Sequence, residues 1–216
     1  MSRTLIGLIF LLSFVLIYSC KKDPITIDVR GTVYDNFLGE SVAGALVQFY
    51  VQDVENGIIS FQYKFIGSTS TNDAGNFEFN FEYRNATIYK MRVIKEKYII
   101  SEREIPPANW PPDEVNIENF EIVPEAYFKV HLKNQNPFSE YDNLLFQMNY
   151  DTVQCATCCH DFTLYITGFI DTTIYCTVAG ETKVNLYYIA NTQMSGTYDL
   201  DFFCPAFDTT AVDVFY

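Results

Sequence analysis

Hydrophobic residues alternate with polar residues along most of the chain after residue 24, and this two-residue period constrains the fold more than any other feature. In the first such segment Ile27, Val29 and Val33 share one side, while Asp28 and Arg30 take the other. The period returns in three further clear segments, residues 45–51, 77–83 and 127–133. Successive side chains of a strand point to opposite faces, so each segment predicts a half-buried strand.

Composition and turn residues indicate an all-β chain. The sequence has 19 Phe and 16 Tyr, and aromatic residues favour strands. Turn signals such as Asn56-Gly57 separate the alternating segments. Short strands at this spacing predict two tandem β-sandwiches of immunoglobulin-like or transthyretin-like type. We place their boundary at Pro124, so that the predicted domains are residues 25–123 and 124–216.

Two stretches of the predicted first domain are less regular. Phe61, Tyr63 and Phe65 alternate with polar residues and predict a strand with the three aromatic rings on one face. Residues 105–114 hold four prolines, which excludes a central strand there. The apolar residues that follow predict a last strand whose phase slips between Ile117 and Phe120, as at a bulge.

The first 19 residues have the layout of an export signal. Arg3 supplies a positive charge, and the uncharged apolar run 5–17 is shorter than the ~20 residues that a membrane span needs. The following Ser19-Cys20 resembles the lipobox of bacterial lipoproteins. The resemblance implies cleavage after residue 19, a diacylated Cys20, and a tether over residues 20–24. An ordinary signal or an uncleaved anchor, with Cys20 incidental, is the alternative.

The residues after the cysteine bear on the location of the protein. Lys21-Lys22-Asp23-Pro24 resembles lipoproteins of the Bacteroidetes group, in which charged residues at this place direct the protein to the outer membrane. The resemblance implies an outer-membrane lipoprotein and leaves open whether it faces the cell surface or the periplasm.

Charge limits the class of partner. Residues 20–216 carry 13 Lys and Arg against 27 Asp and Glu, a net charge of −14, because Arg3 is the only charged residue of the signal. Nucleic acid is excluded as a partner of such a surface, since its binding depends largely on neutralising phosphates with Lys and Arg. The membrane, through the lipid at Cys20, and a glycan or an envelope protein are the expected partners.

The first half of the mature chain also resembles a known family. The motif positions are Gly31-x-Val33-x-Asp35, Gly39-x-x-Val42-x-Gly44-Ala45-x-Val47, Thr71-x-Asp73-x-Gly75-x-Phe77-x-Phe79, and Met91-x-Val93 with Tyr98. Over about residues 25–105 this set resembles the carboxypeptidase regulatory-like domain, although Ser41 stands where the family usually has proline. The resemblance implies a transthyretin-like sandwich without catalytic residues that serves as a spacer or binding module.

Five cysteines follow Cys20, all in the second half: Cys155, Cys158, Cys159, Cys176 and Cys204. In an exported protein they predict two disulfides and one spare thiol, with the pairing open. The cluster at residues 155–160, which ends in His160, offers the sulfur and imidazole ligands of a zinc site as an alternative. A haem-attachment motif, Cys-x-x-Cys-His, fails by one residue.

Several residues are candidates for ligand binding. Trp110 lies between two proline pairs, where it would be either a platform for a sugar ring or peptide, or a cap on the end of the sandwich. Tyr34, Tyr50 and Tyr187 are predicted to point outward, as a glycan-binding face or simply as residues that favour strands.

Weaker signals concern ions and modification. Asp199-x-Asp201 offers calcium ligands without the full calcium loop, and His131 is predicted to be solvated on a charged strand face. Three Asp-Thr pairs resemble the O-glycosylation acceptor of exported Bacteroidetes proteins, at Thr152, Thr172 and Thr209. Each also suits a turn residue that leads into a strand.

No motif for nucleophilic, metal-dependent or phosphate chemistry occurs in the sequence, and we expect no enzyme and no cofactor. The sequence predicts a lipid-anchored, non-catalytic binding or structural module, for glycan capture or as an accessory to an outer-membrane complex. The alternatives are a carboxylate-dependent hydrolase and a metal-binding protein that uses the cluster at residues 155–160.

Overall fold

The described residues of this chain, in a computed structural model, are 24–55, 57–150, 162–191 and 196–216. They form strands β1 to β17 and one turn of 3-10 helix, Pro107–Asn109. The prediction of an all-β chain with two tandem sandwiches is confirmed. Within these ranges, no helix has the length and the apolar character that crossing a membrane requires.

The first sandwich consists of two sheets. In one, β1 lies in the middle, antiparallel to β6 and β2 and parallel to β9 and β10. In the other, the order is β5-β3-β7-β8, and β4 forms a hairpin with β3. The strands are β1 (Thr26–Asp35), β2 (Glu40–Ser41), β3 (Leu46–Glu55), β4 (Ile58–Ile59), β5 (Lys64–Ser70), β6 (Asn76–Glu82), β7 (Ala86–Ile94), β8 (Ser101–Ile105), β9 (Val115–Ile117) and β10 (Phe120–Ile122).

The second sandwich also has two sheets. Their orders are β14-β11-β17, in which β11 and β17 are parallel, and β13-β12-β15-β16, which is antiparallel throughout. The strands are β11 (Glu125–Lys133), β12 (Asn143–Tyr150), β13 (Phe162–Thr167), β14 (Asp171–Ala179), β15 (Thr182–Ala190), β16 (Gly196–Cys204) and β17 (Thr209–Phe215).

Each sandwich has its own hydrophobic core, built by the alternation that the sequence shows. Ile27, Val29 and Val33 of β1 are fully buried in the first core, and Phe128 and Val130 of β11 are buried in the second. Burying such side chains contributes about 1.5–3 kcal/mol each.

Two stretches differ from the sequence prediction. Phe61 precedes the strand, and β5 begins at Lys64, so Ile66 packs against the core while Phe65 is exposed. The register shift between β3 and β5 accounts for the changed phase.

The predicted last strand is two short strands. In β9 the polar Asn116 is buried while the apolar Val115 and Ile117 are exposed. The reason is hydrogen bonding, because the Asn116 amide donates to the backbone carbonyl of Asp28 at 3.1 Å. The inward phase of hydrophobic residues resumes only at β10.

The two sandwiches meet where β1 and β7 end. Tyr98 forms an antiparallel bridge with Pro124, and Ile99 packs into the second core. The ring of Tyr98 lies 5.3 Å from that of Phe207 in the second sandwich. Burial and the carboxylate of Asp35 raise the pKa of Tyr98 to about 12.

Residue 24 lies at the other end of the first sandwich. Thr26, at the start of β1, pairs with Glu82 at the end of β6, whereas Asp35, at the end of β1, is beside Tyr98 at the junction. The second sandwich is therefore attached to the end of the first that is opposite to residue 24.

Candidate functional site

The outer face of the sheet β14-β11-β17 is a regular array of aromatic, hydroxyl and charged side chains, which we name the β11 face. The outward residues of β11 each pair with one residue of β14 and one of β17. The four rows are Thr177–Tyr127–Thr209, Tyr175–Lys129–Ala211, Thr173–His131–Asp213 and Asp171–Lys133–Phe215.

The sequence of β11 explains why this face is turned to solvent. Ala126, Phe128, Val130 and Leu132 are at most 1% exposed and pack into the second core. The residues between them must then point outward. On the flanking strand, Tyr175 is 71% exposed.

Two adjacent depressions lie on the β11 face. One has a volume of about 340 Å³ and the other of about 240 Å³, and the row of Tyr175 and Lys129 joins them. Ala211 lines the first, and its short side chain leaves room beside the longer ones. The first is lined by Lys129, His131, Thr173, Ala211, Val212 and Asp213. The second is lined by Tyr127, Phe128, Tyr175, Cys176, Thr177 and Thr209.

His131 holds two carboxylates together at one end of the face. Its Nε2 lies 2.7 Å from Asp171 Oδ1, and its Nδ1 lies 3.1 Å from Asp213 Oδ1. Lys133 Nζ donates to Asp171 Oδ2 at 2.7 Å. Both ring nitrogens donate when the imidazole is protonated. The hydrogen bond to Asp171 raises the pKa of His131 above its ordinary 6.5, and the hydrogen bond to Asp213 raises it further.

This cluster predicts a pH-dependent stability. Because the pKa of His131 is raised in the folded protein, the protonated imidazole contributes to folding stability. This contribution to stability is complete below pH 6.5 and is lost as the pH rises through the folded-state pKa. Hydrogen bonds from Lys133 and His131 lower the pKa of Asp171 below 3.8. The stability that the Asp171 carboxylate contributes is therefore present at both pH values of the test and is lost only as the pH falls through that lowered pKa. We expect His131→Gln to lower the melting temperature more at about pH 5.5 than at about pH 9.

The matched control for this prediction is Lys129→Gln, on the same strand and face. Lys129 Nζ lies 5.6 Å from the centroid of the Tyr175 ring, so this variant removes a cation from the face and leaves both hydrogen bonds of His131 in place. If His131→Gln lowered the melting temperature equally at both pH values, protonated His131 would not be what stabilises the cluster with Asp171 and Asp213.

Trp110 is not a ligand platform: of the two alternatives for this residue the platform is wrong, and the burial of its ring agrees with the cap on the sandwich. It is 1% exposed, and its ring lies 5.2 Å from Tyr89 and 6.2 Å from both Phe49 and Phe81, between centroids. Its Nε1 donates to Glu118 Oε1 at 3.0 Å. The large apolar ring is removed from water while its one polar atom is satisfied, and Trp110 therefore closes the first core.

Tyr34, Tyr50 and Tyr187 lie on three different sheets, so the alternative in which they form one glycan-binding face is wrong, and the alternative of tyrosines that simply favour strands fits their positions. Tyr34 is in β1, Tyr50 in β3 and Tyr187 in β15. All three are half-buried, and the Tyr50 hydroxyl is 2.9 Å from Gln48 Oε1.

A second aromatic cluster covers the outer face of the sheet β5-β3-β7-β8. The ring of Tyr63 lies 4.1 Å from Lys90 Nζ, and its hydroxyl bonds to Glu104. Tyr50 and Phe65 pack edge to face at 5.5 Å. The side chain of Tyr63 therefore lies across the sheet, where its ring contacts Lys90 and its hydroxyl contacts Glu104.

Asp199 and Asp201 share one hydrogen-bond donor. The amide of Asn185 donates to Asp199 Oδ1 at 2.6 Å and to Asp201 Oδ1 at 3.0 Å. In the described part of the chain, no three His, Cys, Asp or Glu residues are grouped as a metal site would require.

The cysteine predictions fall mostly outside the described residues. Cys20, the cluster at residues 155–160 and Thr152 all lie there. Cys204 is a buried free thiol, whose pKa is raised by burial, whereas buried Cys176 does not have a free thiol. Cys204 therefore takes the place of the spare cysteine, and the pairing of the others stays a prediction.

Two of the three glycosylation candidates can be located. Thr172 and Thr209 are both exposed near the start of a strand, in β14 and β17 respectively. The Asp208 carboxylate accepts a hydrogen bond from the backbone of Thr209 at 2.7 Å. Their modification stays a prediction.

Comparisons with known proteins give no family. No family model matches the chain, and no curated protein matches it. Among solved structures, the chain is similar to a minor pilin of Streptococcus agalactiae, with 12% identity over 88% of this chain and 94% of the pilin at a TM-score of 0.39. It is also similar to a DUF3823 family protein from Bacteroides uniformis, with 13% identity over 83% of this chain and 100% of that one at a TM-score of 0.30.

A third similarity is partial. The match to 3-chlorocatechol 1,2-dioxygenase from Rhodococcus opacus has 15% identity and a TM-score of 0.35, and it covers 47% of this chain and 60% of the dioxygenase. The chain likewise spans only 34% of the TIE protein of Bacillus anthracis. At these identities and TM-scores the similarities do not identify a family.

Proposed function

We propose that this protein is a non-catalytic, lipid-anchored envelope module whose β11 face binds a saccharide. The observation that carries the proposal is the array of the β11 face, where exposed Tyr175 and Tyr127 adjoin threonine, lysine and carboxylate side chains in register. A glycan of the cell envelope or of the surroundings is the corresponding class of ligand.

The chemistry of the face suits a sugar. Tyrosine combines an apolar ring with a polar hydroxyl, so it contacts the C–H face of a sugar ring and remains wet at its edge. Thr173, Thr177 and Thr209 each bring a hydroxyl that both donates and accepts hydrogen bonds. Lys129, beside the ring of Tyr175, adds a cation for a carboxylate-bearing sugar.

The bonding of His131 favours binding over catalysis. A catalytic histidine uses one ring nitrogen toward a carboxylate and keeps the other for the reacting group. In this protein Asp171 and Asp213 occupy both nitrogens. His131 therefore joins β14 and β17 across the face and has no nitrogen directed at a substrate.

A lipid anchor would display this face at a distance from the membrane. We propose cleavage between Ser19 and Cys20 and acylation of Cys20, because this pair resembles the lipobox. Two acyl chains would hold the protein stably on the membrane where one would not. The face belongs to the second sandwich, which is attached to the end of the first opposite to residue 24. In the same oxidising location, Cys176 and the cysteines at residues 155–159 would form the disulfides.

Binding through the β11 face is tested by removing its rings. We expect Tyr175→Ala to weaken saccharide binding by roughly tenfold, the effect of about 1.4 kcal/mol at one aromatic contact. The measurement is retardation of residues 20–216 in native gels that contain β-glucan, galactomannan or pectin. The matched control is Tyr165→Ala on β13, an exposed tyrosine (65%) of the other sheet.

Either of two results would refute the proposal. One is a chain that migrates alike with and without every polysaccharide. The other is a polysaccharide that retards wild type and Tyr175→Ala equally, because the contact would then lie elsewhere on the protein.

A further inference from the structure

A group of exposed apolar side chains lies at the end of the first sandwich where residue 24 is found. Ile58 is 73% exposed and Phe61 is 84% exposed, which is unusual for side chains of this size. We name the group the apolar end, and its members are Ile25, Ile58, Ile59, Phe61 and Tyr83.

Backbone hydrogen bonds place these residues together although they come from both sheets. The Tyr83 amide donates to the Ile25 carbonyl at 2.8 Å, which joins the start of β1 to the end of β6. The Val54 amide donates to the Asn85 carbonyl at 2.9 Å, which joins the β3–β4 hairpin to the same end. The apolar end is thus one surface of the sandwich.

Two hydrogen bonds and one ion pair join the segment around Ile58, Ile59 and Phe61 to β3. The Ser60 amide donates to the Asp53 carbonyl at 3.0 Å, and Gln52 Nε2 donates to the Phe61 carbonyl at 3.0 Å. Lys64 Nζ lies 2.9 Å from the Asp53 carboxylate at the base of the hairpin. The side chains of Ile58, Ile59 and Phe61 are left exposed to solvent.

We propose that the apolar end rests on the lipid surface of the membrane that carries the anchor, with the β3–β4 hairpin inserted among the headgroups. Pro24 follows Cys20 by four residues, and an extended chain spans at most about 3.6 Å per residue. Pro24, at this end of the sandwich, therefore lies within about 15 Å of the acylated cysteine. This inference rests on the proposed lipid anchor.

The side-chain chemistry at this end corresponds to a bilayer interface. Isoleucine and phenylalanine side chains partition about 5–10 Å into the boundary of headgroups and acyl chains, and tyrosine is enriched there. Lys21 and Lys22 come just before Pro24 in the sequence. Arg84 follows Tyr83, and its guanidinium lies 4.0 Å from the Asp53 carboxylate. Basic groups near a membrane surface are attracted to lipid phosphates. The net charge of the remaining surface keeps the rest of the protein away from an anionic membrane.

The second contact fixes the orientation of the module. A tether alone allows the sandwiches to lie against the membrane at any angle. With the apolar end seated on the lipid, the junction with the second sandwich, which is at the opposite end, points away from it. The β11 face is then held clear of the surface.

The test uses depth-dependent fluorescence quenching. Residues 20–216, with a His tag in place of residues 1–19, are held on phosphatidylcholine vesicles that contain a nickel-chelating lipid, so the result does not depend on acylation. In Phe61→Trp, brominated acyl chains are expected to reduce the emission of the introduced indole by about half or more. Buried Trp110 supplies a constant background that wild type measures.

The control is Phe138→Trp, at a side chain that is 94% exposed between β11 and β12, at the far end of the second sandwich. Its emission is expected to be unchanged by bromination. Adding Ile58→Ser and Ile59→Ser to Phe61→Trp is expected to reduce the quenching.

Three results would overturn the inference. They are no quenching of Phe61→Trp on the vesicles, equal quenching of both variants, and protection of Phe61→Trp that grows with protein concentration, which would show a second copy on the apolar end. Acyl labelling of Cys20 in cells tests the anchor separately, so failure of the anchor and failure of the membrane contact are distinguishable.

Discussion

Replacing Trp110 with alanine is expected to lower the free energy of unfolding by about 3–5 kcal/mol, the range for removal of a large buried aromatic side chain. The ring contacts Phe49, Phe81 and Tyr89, which come from β3, β6 and β7 of both sheets. Its loss leaves a cavity where the two sheets meet, and it leaves the Glu118 carboxylate without its indole donor.

Urea denaturation followed by circular dichroism measures this effect. Trp110→Phe is the matched variant, because it keeps an aromatic ring and loses the hydrogen bond, and it is expected to cost less. Phe138→Ala, at an exposed site, is expected to change stability by at most about 0.5 kcal/mol. A loss in Trp110→Ala no greater than that of the surface variant would contradict the assignment of Trp110 to the core.

Gly31→Ala is expected to destabilise the first sandwich by about 3 kcal/mol or more, at the upper end of overpacking effects. A Cβ atom at residue 31 would lie 1.7 Å from the carbonyl oxygen of Glu118 and 2.9 Å from the ring of Phe77. The first contact is with backbone, which cannot rotate away. To accept the methyl group, β1 must separate from the segment that joins β9 to β10.

Gly39→Ala is the matched control. No heavy atom lies within 4 Å of a Cβ at residue 39, although its φ of +71° disfavours alanine. The expected cost is therefore only the backbone penalty of about 1 kcal/mol. If both variants lost the same stability in urea, close approach of the Glu118 carbonyl would not be what requires glycine at residue 31.

The hydrophobic alternation was sufficient to predict the strands and the two sandwiches. In β1 and β11 one face is buried and the other is solvated, so the period of the sequence and the burial pattern agree. The prediction was wrong where hydrogen bonding or a register shift overrode hydrophobicity. Asn116 is buried because its amide bonds to backbone carbonyls, and Phe65 is exposed because the β3–β5 register shifts.

The candidate site was only half predictable. The outward phase of Tyr127, Lys129 and His131 followed from the alternation of β11. Their neighbours Tyr175 and Asp213 come from strands 40 or more residues later in the sequence, and only the register of the sheet brings them beside β11. Since one sequence does not specify strand pairing, the pairs of His131 with Asp171 and Asp213 could not be found from it.

Trp110 illustrates the opposite limit. A tryptophan between proline pairs has two outcomes, exposure on a rigid loop or burial over the core, and the local sequence is the same for both. The deciding partners are Tyr89, on the distant strand β7, and the polar side chain of Glu118. The choice therefore depends on tertiary packing.

The most direct test of the account is a map of amide chemical shifts in residues 20–216 during titration with soluble fragments of the polysaccharides used in the gels. The account predicts that the shifts concentrate in β11, β14 and β17, with the largest near Tyr127 and Tyr175. Shifts confined to β3, β5 and β7, around Tyr63, would place binding on the other aromatic cluster and contradict the central claim. The absence of any shift would contradict saccharide binding altogether.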